Sequence, residues 1–234
     1  PTEILNYLGT YSPRSYSESY CIFKQFLLNH KVFNDANSMK LLDFGCGTGG
    51  EIIGFATALS DCRPNIKTLI VKAIDGNQYA LKCFEGVKNK FNEHNVLQIE
   101  SNPSAIKIDD FYDLSVMDAI LEDSFDVVIS FKAVCEFVTK KQFKEKNAYE
   151  HLAKFMIPRL KEGGVMLLVD ITSKNSVVQE WLPNLMDKGL RDANAPIIEK
   201  NLAHSETFVV NHSRQIRDIS KVAWRIISIK NQEI

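Results

Sequence analysis

The chain has 234 residues, of which 45% are hydrophobic and 24% are charged. This length supports one sizeable hydrophobic core, so we expect a single compact domain. The formal net charge is −1. That balance excludes the strong overall positive field of a protein that is held on nucleic acid by phosphate contacts, although a local basic patch remains open.

Cysteine and histidine spacing argues against a metal site. The five cysteines include no Cys-x-x-Cys pair, so neither a disulfide framework nor a cysteine zinc site is indicated. The histidines show no metal-binding spacing. No apolar run approaches the roughly 20 residues that cross a bilayer. We therefore expect a soluble, cytoplasmic protein that has no metal and no membrane partner; the oligomeric state stays open.

Helical and extended patterns alternate along the chain. Residues 14–30 place aromatic and leucine side chains at spacings of three and four, which predicts a helix. Residues 40–44 read as a short buried strand before a glycine-rich turn, and residues 51–60 as a helix. The pattern then continues with a strand at 68–74, a helix at 77–93, strands near 105–109 and at 125–130, a helix at 141–160 and a strand at 164–171.

This alternation predicts an α/β fold with parallel β-α-β units and helices on both faces of the sheet. The end of the chain differs, because residues 206–211 and 222–230 form two strand-like runs separated only by a polar stretch at 213–221. That stretch is too short for a crossover helix, so we expect the two runs to pair antiparallel at a sheet edge.

The most informative segment joins the first strand to the next helix through four glycines, from Gly45 to Gly50. Glycine is needed where the chain turns sharply or where a ligand lies against bare backbone, and the helix that follows presents free N–H groups. The second strand ends in Asp75, beside the first strand's carboxyl end, where an acid accepts hydrogen bonds from ribose hydroxyls. The alternative is a glycine turn that only packs a helix on a strand.

Two nucleotide-like ligands compete for this turn. Gly45, Gly47 and Gly50 satisfy the dinucleotide fingerprint, so a NAD-binding Rossmann protein is one interpretation. Asp43, two residues before the first glycine, favours a cationic amine because a carboxylate repels a pyrophosphate. The separation from the glycines to Asp75 also exceeds the roughly 20 residues of the dinucleotide pattern.

The segment Asp43 to Gly50 resembles the first motif of class I, Rossmann-like S-adenosylmethionine-dependent methyltransferases. Residues 74–77 are similar to that family's ribose-binding strand end, and residues 124–130 and 160–168 resemble its fourth and fifth strands. The resemblance implies a seven-stranded, mostly parallel sheet with an antiparallel C-terminal edge pair, and S-adenosylmethionine as the cofactor. It covers residue 40 to the C-terminus, and the first motif is its specific part.

The resemblance also implies the residues that bind the cofactor. Gly45, Gly47 and Gly49 lie against the methionine portion with Asp43 nearby, and Asp75 holds the ribose. The adenine rests near Asn77, Asp109, Asp110 and Phe111, with the choice between the two aspartates open. The other residues assigned to the cofactor are Cys46, Gly76, Ser130, Phe131 and Lys132.

The acceptor is the open question. Residues 130–137 lack the Asn/Asp-Pro-Pro-aromatic motif of amine methylation on bases or glutamine, and Cys135 follows valine where a cytosine-carbon methyltransferase has proline. Glu136 is the one candidate general base, with a solvent-facing carboxylate as the alternative. A small-molecule acceptor is favoured; RNA or protein acceptors, suggested by late basic residues such as Arg214 and Arg217, and a non-catalytic S-adenosylmethionine-binding module remain alternatives.

The expected organisation is an N-terminal helical lid at residues 1–39 followed by the cofactor-binding methyltransferase domain at residues 40–234. The lid carries Tyr11, Tyr16 and Tyr20, which either cover the cofactor or pack the helix on the sheet.

Overall fold

The computed structural model describes residues 5–121 and 124–229. These residues fall into two compact units. The first unit comprises Pro1–Lys107 and Thr207–Ser220, and the second comprises Ile108–Glu206 and Lys221–Ile234. Along the described residues, no helix is both long and apolar enough to cross a bilayer.

The first unit alternates strands and helices as predicted. A short π-helix at Tyr7–Tyr11 leads into α1 (Ser12–Asn29); then follow β1 (Ser38–Phe44), α2 (Gly50–Cys62), β2 (Thr68–Asp75), α3 (Gln78–His94) and β3 (Gln98–Ala105). The three strands pair in parallel in the order β3-β2-β1. The β1–β2 register places Phe44 beside Ile74, so the glycine turn that follows β1 starts at the same level of the sheet as Asp75, the last residue of β2.

The second unit contains α4 (Ser115–Asp118), β4 (Phe125–Phe131), α5 (Val134–Phe137), α6 (Gln142–Glu145), α7 (Ala148–Met156), a 3-10 turn (Ile157–Arg159) and β5 (Leu160–Ile171). It continues with β6 (Lys174–Asn175), β7 (Glu180–Trp181), α8 (Leu182–Asp192) and β8 (Ile197–Lys200). The chain ends its described part with β9 (Glu206–His212) and β10 (Gln215–Ser228). Strand β4 runs parallel to β5, whereas β10 runs antiparallel to both β5 and β8.

The predicted fold class, α/β with mostly parallel strands and an antiparallel C-terminal end, is confirmed. The described residues hold ten strands, of which β6 and β7 pair with each other in a separate two-stranded sheet. Strand β8 and the two-residue strands β6 and β7 are too short to give a sequence signal.

Three predicted boundaries are wrong. The third strand is not at 105–109 but at Gln98–Ala105, and its polar, Pro103-containing sequence is typical of an edge strand, which needs no continuous apolar pattern. The helix predicted at 141–160 is broken into α6, α7 and the 3-10 turn. The stretch 213–221 is not a polar connection, because β10 begins at Gln215 and a two-residue turn joins it to β9; Lys230 of the predicted last run lies outside the described residues.

Helices α1 and α2 pack backbone to backbone through two glycines. A Cβ atom on Gly50 would lie 2.4 Å from the Ser12 carbonyl oxygen, and one on Gly54 would lie 2.3 Å from the Tyr16 carbonyl oxygen. The glycines are four residues apart, as are their partners, so one ridge of α1 rests on one face of α2. Phe23 and Phe55 fill the next contact, with ring centroids 4.4 Å apart.

We expect Gly54→Ala to destabilise the protein by about 1–3 kcal/mol, because the added methyl group forces backbone apart. Gly86→Ala is the matched control: Gly86 is in α3, and a Cβ atom there meets nothing within 4 Å. It should be neutral or stabilise by up to about 1 kcal/mol, as alanine favours a helix. Urea unfolding checks both, and equal stability of Gly54→Ala and wild type would contradict the packing described.

Candidate active site

The glycine turn after β1 is fastened to the end of β2. The backbone N–H groups of Gly45 and Cys46 both donate to the carbonyl oxygen of Ile74, at 2.8 and 3.0 Å. Gly45, Gly47 and Gly49 have φ angles of 79°, 49° and 73°. These left-handed conformations favour glycine, so the sequence of the turn is dictated by its shape.

Asp75 lies at this turn with both carboxylate oxygens engaged. One oxygen accepts the N–H of Gly47 at 2.8 Å and the other accepts the N–H of Asn77 at 2.7 Å. The Asn77 side chain in turn caps α3 by accepting the N–H groups of Tyr79 and Ala80. The structure therefore brings Gly47, Asp75, Gly76 and Asn77 together, as the sequence indicated.

Asp43, the last but one residue of β1, is a buried acid beneath the turn. Its side chain is 0% exposed, and neither carboxyl oxygen has a hydrogen-bond donor among the described residues. Its charged neighbours, Glu51 and Asp75, are also acids. Burial first, and then the negative charges of these neighbours, raise the pKa of Asp43 well above its usual value. Without a ligand, a proton shared with Glu51 best satisfies this pair.

Two residues that sequence reasoning missed also line this region. Glu51 is 4% exposed in the first turn of α2, and Thr48 is 1% exposed with a hydroxyl that has no partner among the described residues. A glutamate in a first helical turn ordinarily indicates a favourable interaction with the helix dipole, so its burial carried no separate signal. Cys46 is equally buried, and burial raises the pKa of its thiol, which is therefore neutral.

In the second unit, the residues predicted near the adenine follow β3 after several irregular residues. Asp109 and Asp110 are exposed, and one carboxylate oxygen of Asp110 accepts the N–H of Tyr112 at 2.9 Å, as in an Asx turn. Phe111 is buried and packs against Phe137, with ring centroids 6.4 Å apart.

The end of β4 carries the other predicted cofactor residues. Ser130 and Phe131 are buried, and the Ser130 hydroxyl has no partner among the described residues. Lys132 has a φ angle of 56°, and its N–H donates to the Val169 carbonyl oxygen at 2.7 Å. Glu136, the candidate base, is exposed in α5.

The aromatic residues of the N-terminal segment divide between two places. The Tyr7 ring lies against the glycine turn, 3.2 Å from where a Cβ atom of Gly47 would be, and its centroid is 5.1 Å from that of Tyr11. Tyr20 instead donates to the carboxylate of Asp61, near the C-terminal end of α2. Tyr20 thus packs one helix on the other, and Tyr7, which the sequence did not single out, meets the turn.

The late basic residues differ in exposure, since Arg214, Arg217 and Lys221 are exposed. Arg225 is buried and binds Asp187 and Asn201. Arg214 donates to the side chain of Asn6 and the carbonyl oxygen of Leu5. Across residues 5–121 and 124–229, no group of three His, Cys, Asp or Glu side chains is arranged to hold a metal ion.

No protein-family model and no curated protein matches the sequence. Solved structures do match. An S-adenosylmethionine-dependent methyltransferase from Clostridium acetobutylicum is 14% identical with a TM-score of 0.53, and 91% of this chain and 92% of that chain are covered. A putative class I S-adenosylmethionine-dependent methyltransferase from Listeria monocytogenes is 13% identical with a TM-score of 0.56, covering 93% and 61%.

The glycopeptide N-methyltransferase MtfA, solved with S-adenosylmethionine, is 11% identical with a TM-score of 0.54, and 92% of this chain and 94% of that chain are covered. At these identities the likeness is one of fold. The chain therefore has the class I methyltransferase fold, which the resemblance of its first motif implied.

We expect Asp43→Asn to make the ligand-free protein more stable near neutral pH, by roughly 1–3 kcal/mol, because it removes an acid whose ionised form is buried beside two other acids without a cation. The folded pKa is raised above the unfolded value of about 3.9, so wild-type stability falls as pH rises through that window, and this decline should be smaller in the variant. Urea unfolding between acidic and neutral pH measures both. The exposed Asp35→Asn is the control; a neutral-pH loss of stability in Asp43→Asn would contradict the interpretation.

Proposed function

We propose that the chain is an S-adenosylmethionine-dependent methyltransferase that acts on a small molecule. One observation carries the cofactor assignment: Asp43 is fully buried, lacks a hydrogen-bond donor among the described residues and faces two further acids. A buried carboxylate is costly unless it is paired with a cation. The cofactor brings two positive groups, an ammonium and a sulfonium, and its methionine portion fits a turn of bare glycine backbone.

Charge separates this cofactor from NAD. A dinucleotide would place its pyrophosphate at the glycine turn and at the N-terminus of α2, the usual anion site. Here Asp43, Glu51 and Asp75 surround the turn with negative charge. That field repels a pyrophosphate and attracts a cation.

The residue roles follow from these contacts and from the resemblance. Asp43, with Glu51 beside it, balances the charge of the methionine end, and Gly45, Cys46, Gly47 and Gly49 supply the surface against which it lies. Asp75 holds the ribose hydroxyls from a carboxylate that its bonds to Gly47 and Asn77 already orient. Gly76 is proposed to lie beside the ribose.

When bound, the cofactor supplies a methyl group on a sulfonium, which is already an excellent leaving group. The protein's task is then to align the acceptor and to exclude water. Glu136 is the candidate base for an acceptor that must lose a proton. Because Glu136 is exposed, its carboxyl group can then release that proton to solvent.

The N-terminal segment is proposed to cover the cofactor. Tyr7 lies on Gly47, and the bond from Arg214 to Asn6 holds the neighbouring chain in place. Helix α1 is fixed at the same end, because Arg14 forms two hydrogen bonds to the carboxylate of Asp218, at 2.5 and 2.7 Å. A shift of the Tyr7 ring would admit the ligand without moving α1.

A small-molecule acceptor is preferred because two of the late basic residues are engaged within the protein, whereas Arg217 and Lys221 are exposed. Arg225 is buried in an ion pair and Arg214 is bonded within the first unit. A macromolecular acceptor is the second candidate: a putative RNA methyltransferase from Pyrococcus horikoshii shares the fold at a TM-score of 0.50. RNA retention that weakens steeply with salt would favour it.

We expect isothermal titration to show binding of S-adenosylmethionine and none of NAD. Asp75→Ala should weaken the binding about 10- to 100-fold, because hydrogen bonds to a charged group contribute about 1.5–3 kcal/mol. Asp61→Asn, in the same unit but bonded to Tyr20 and Lys24, is the control and should bind as wild type. Binding of NAD, or unchanged affinity in Asp75→Ala, would reject the assignment, and failure to form S-adenosylhomocysteine with any cell extract would leave a non-catalytic binding module.

The affinity for S-adenosylmethionine should rise with pH. A cation favours the ionised form of Asp43, whose pKa is raised in the free protein, so binding releases a proton and weakens as pH falls below that raised value. Titrations in two buffers with different ionisation enthalpies measure the released proton. In Asp43→Asn the release should be lost together with most of the affinity, and full proton release in that variant would contradict the role of Asp43.

A further inference from the structure

The second unit contains a small cavity where β4 and β5 end. Its volume is about 120 Å³, and its apolar lining consists of Cys135, Val138, Phe143, Ile171 and Leu182. Because β4 and β5 are parallel, Cys135 after the first and Ile171 at the end of the second lie at the same edge of the sheet. In open α/β sheets that edge is where ligands bind.

The buried polar groups of the cavity wall are already satisfied by the protein. Asn175 is 1% exposed; its amide nitrogen donates to the Lys140 carbonyl oxygen, and its amide oxygen accepts the N–H groups of Val177 and Val178. The Cys135 thiol donates to the Lys132 carbonyl oxygen at 3.1 Å. Burial raises its pKa, so it stays neutral. Half-buried Ser173 and exposed Lys140 also border the cavity.

A buried carboxylate holds two walls of the cavity in place. Asp170 is 1% exposed and accepts the Tyr149 hydroxyl at 2.8 Å and the Ile171 N–H at 2.7 Å. It also accepts a hydrogen bond from Cys135. The cavity is thus a built feature with fixed walls rather than a gap between loose side chains.

Size and chemistry limit what the cavity accepts. An apolar cavity of about 150 Å³ holds one benzene molecule, so this slightly smaller one suits a hydrocarbon ring or a branched alkyl group. A nucleobase would leave donors and acceptors unpaired against the five apolar side chains, at about 1–3 kcal/mol for each group. The cavity also lies next to a residue that the resemblance assigns to the cofactor, because the lining residue Cys135 donates a hydrogen bond to the Lys132 carbonyl oxygen.

We propose that this cavity binds a ring-sized apolar group of the methyl acceptor, which is therefore a small molecule with a hydrocarbon portion and not a nucleic acid base. The identification of the bound molecule as a methyl acceptor rests on the proposed methyltransferase function. The preference of the cavity for an apolar group is inferred only from the residues that line it.

The test uses the full chain labelled with ¹³C at valine, leucine and isoleucine methyl groups, and benzene as the probe. We expect saturable shifts at Val138, Ile171 and Leu182, and no saturable shifts there with uracil or adenine. Val138→Phe and Ile171→Phe, which fill the cavity from different walls, should each weaken benzene binding at least 10-fold. The exposed Val177→Phe, on the neighbouring turn but outside the lining, is the matched control and should bind benzene as wild type.

Absence of saturable shifts with benzene, unchanged affinity in both filled variants, or equal response to uracil would each overturn the proposal. Titration of S-adenosylmethionine into the same samples separates the two levels of inference. Cofactor binding without benzene binding rejects only the acceptor pocket, whereas benzene binding without cofactor binding rejects the methyltransferase and leaves an apolar ligand site.

Discussion

The parallel register of β1 and β2 is the constraint on which the candidate site depends. Because Phe44 lies beside Ile74, both strands end at the same level, and the next three residues of β1's turn find their hydrogen-bond partners on β2. The Ile74 carbonyl and the Asp75 carboxylate fix the turn in left-handed conformations. A shift of one residue would reverse the faces of the strand and would separate Asp75 from Gly47.

The same register concentrates negative charge. It sets Asp43 under the turn and Asp75 at its rim, while the helix start brings Glu51 to the pair. Three acids in a poorly solvated place oppose folding unless a proton or a cation joins them. Stability and ligand choice are therefore linked, because a bound cofactor that brings an ammonium and a sulfonium to these acids would offset their cost in the free protein.

Sequence reasoning succeeded where the signal of an element is local. The glycine turn, Asp75 and the apolar strands β4 and β5 each have a signature within a few residues, so their positions could be predicted. The third strand could not be, because an edge strand containing Pro103 needs no buried pattern. The burial of Glu51, the contact of Tyr7 with Gly47 and the Arg14–Asp218 pair depend on residues far apart in sequence, for which one chain offers no signal.

The choice between a nucleic acid and a small molecule as the methyl acceptor also depends on contacts between residues that are far apart in sequence. In sequence, late basic residues such as Arg214 and Arg217 suggested an acidic partner because neighbouring cations predict a basic patch. In three dimensions Arg225 is buried against Asp187, which removes its charge from a phosphate backbone, whereas Arg214 stays exposed while it binds the N-terminal segment. The cavity beyond Cys135, walled by residues from four separate segments, has no sequence signature at all. Because the buried Asn175 is bonded within the protein and five of the eight lining residues are apolar, we propose that selectivity there comes mainly from apolar shape, which fits a compact hydrocarbon group better than a base.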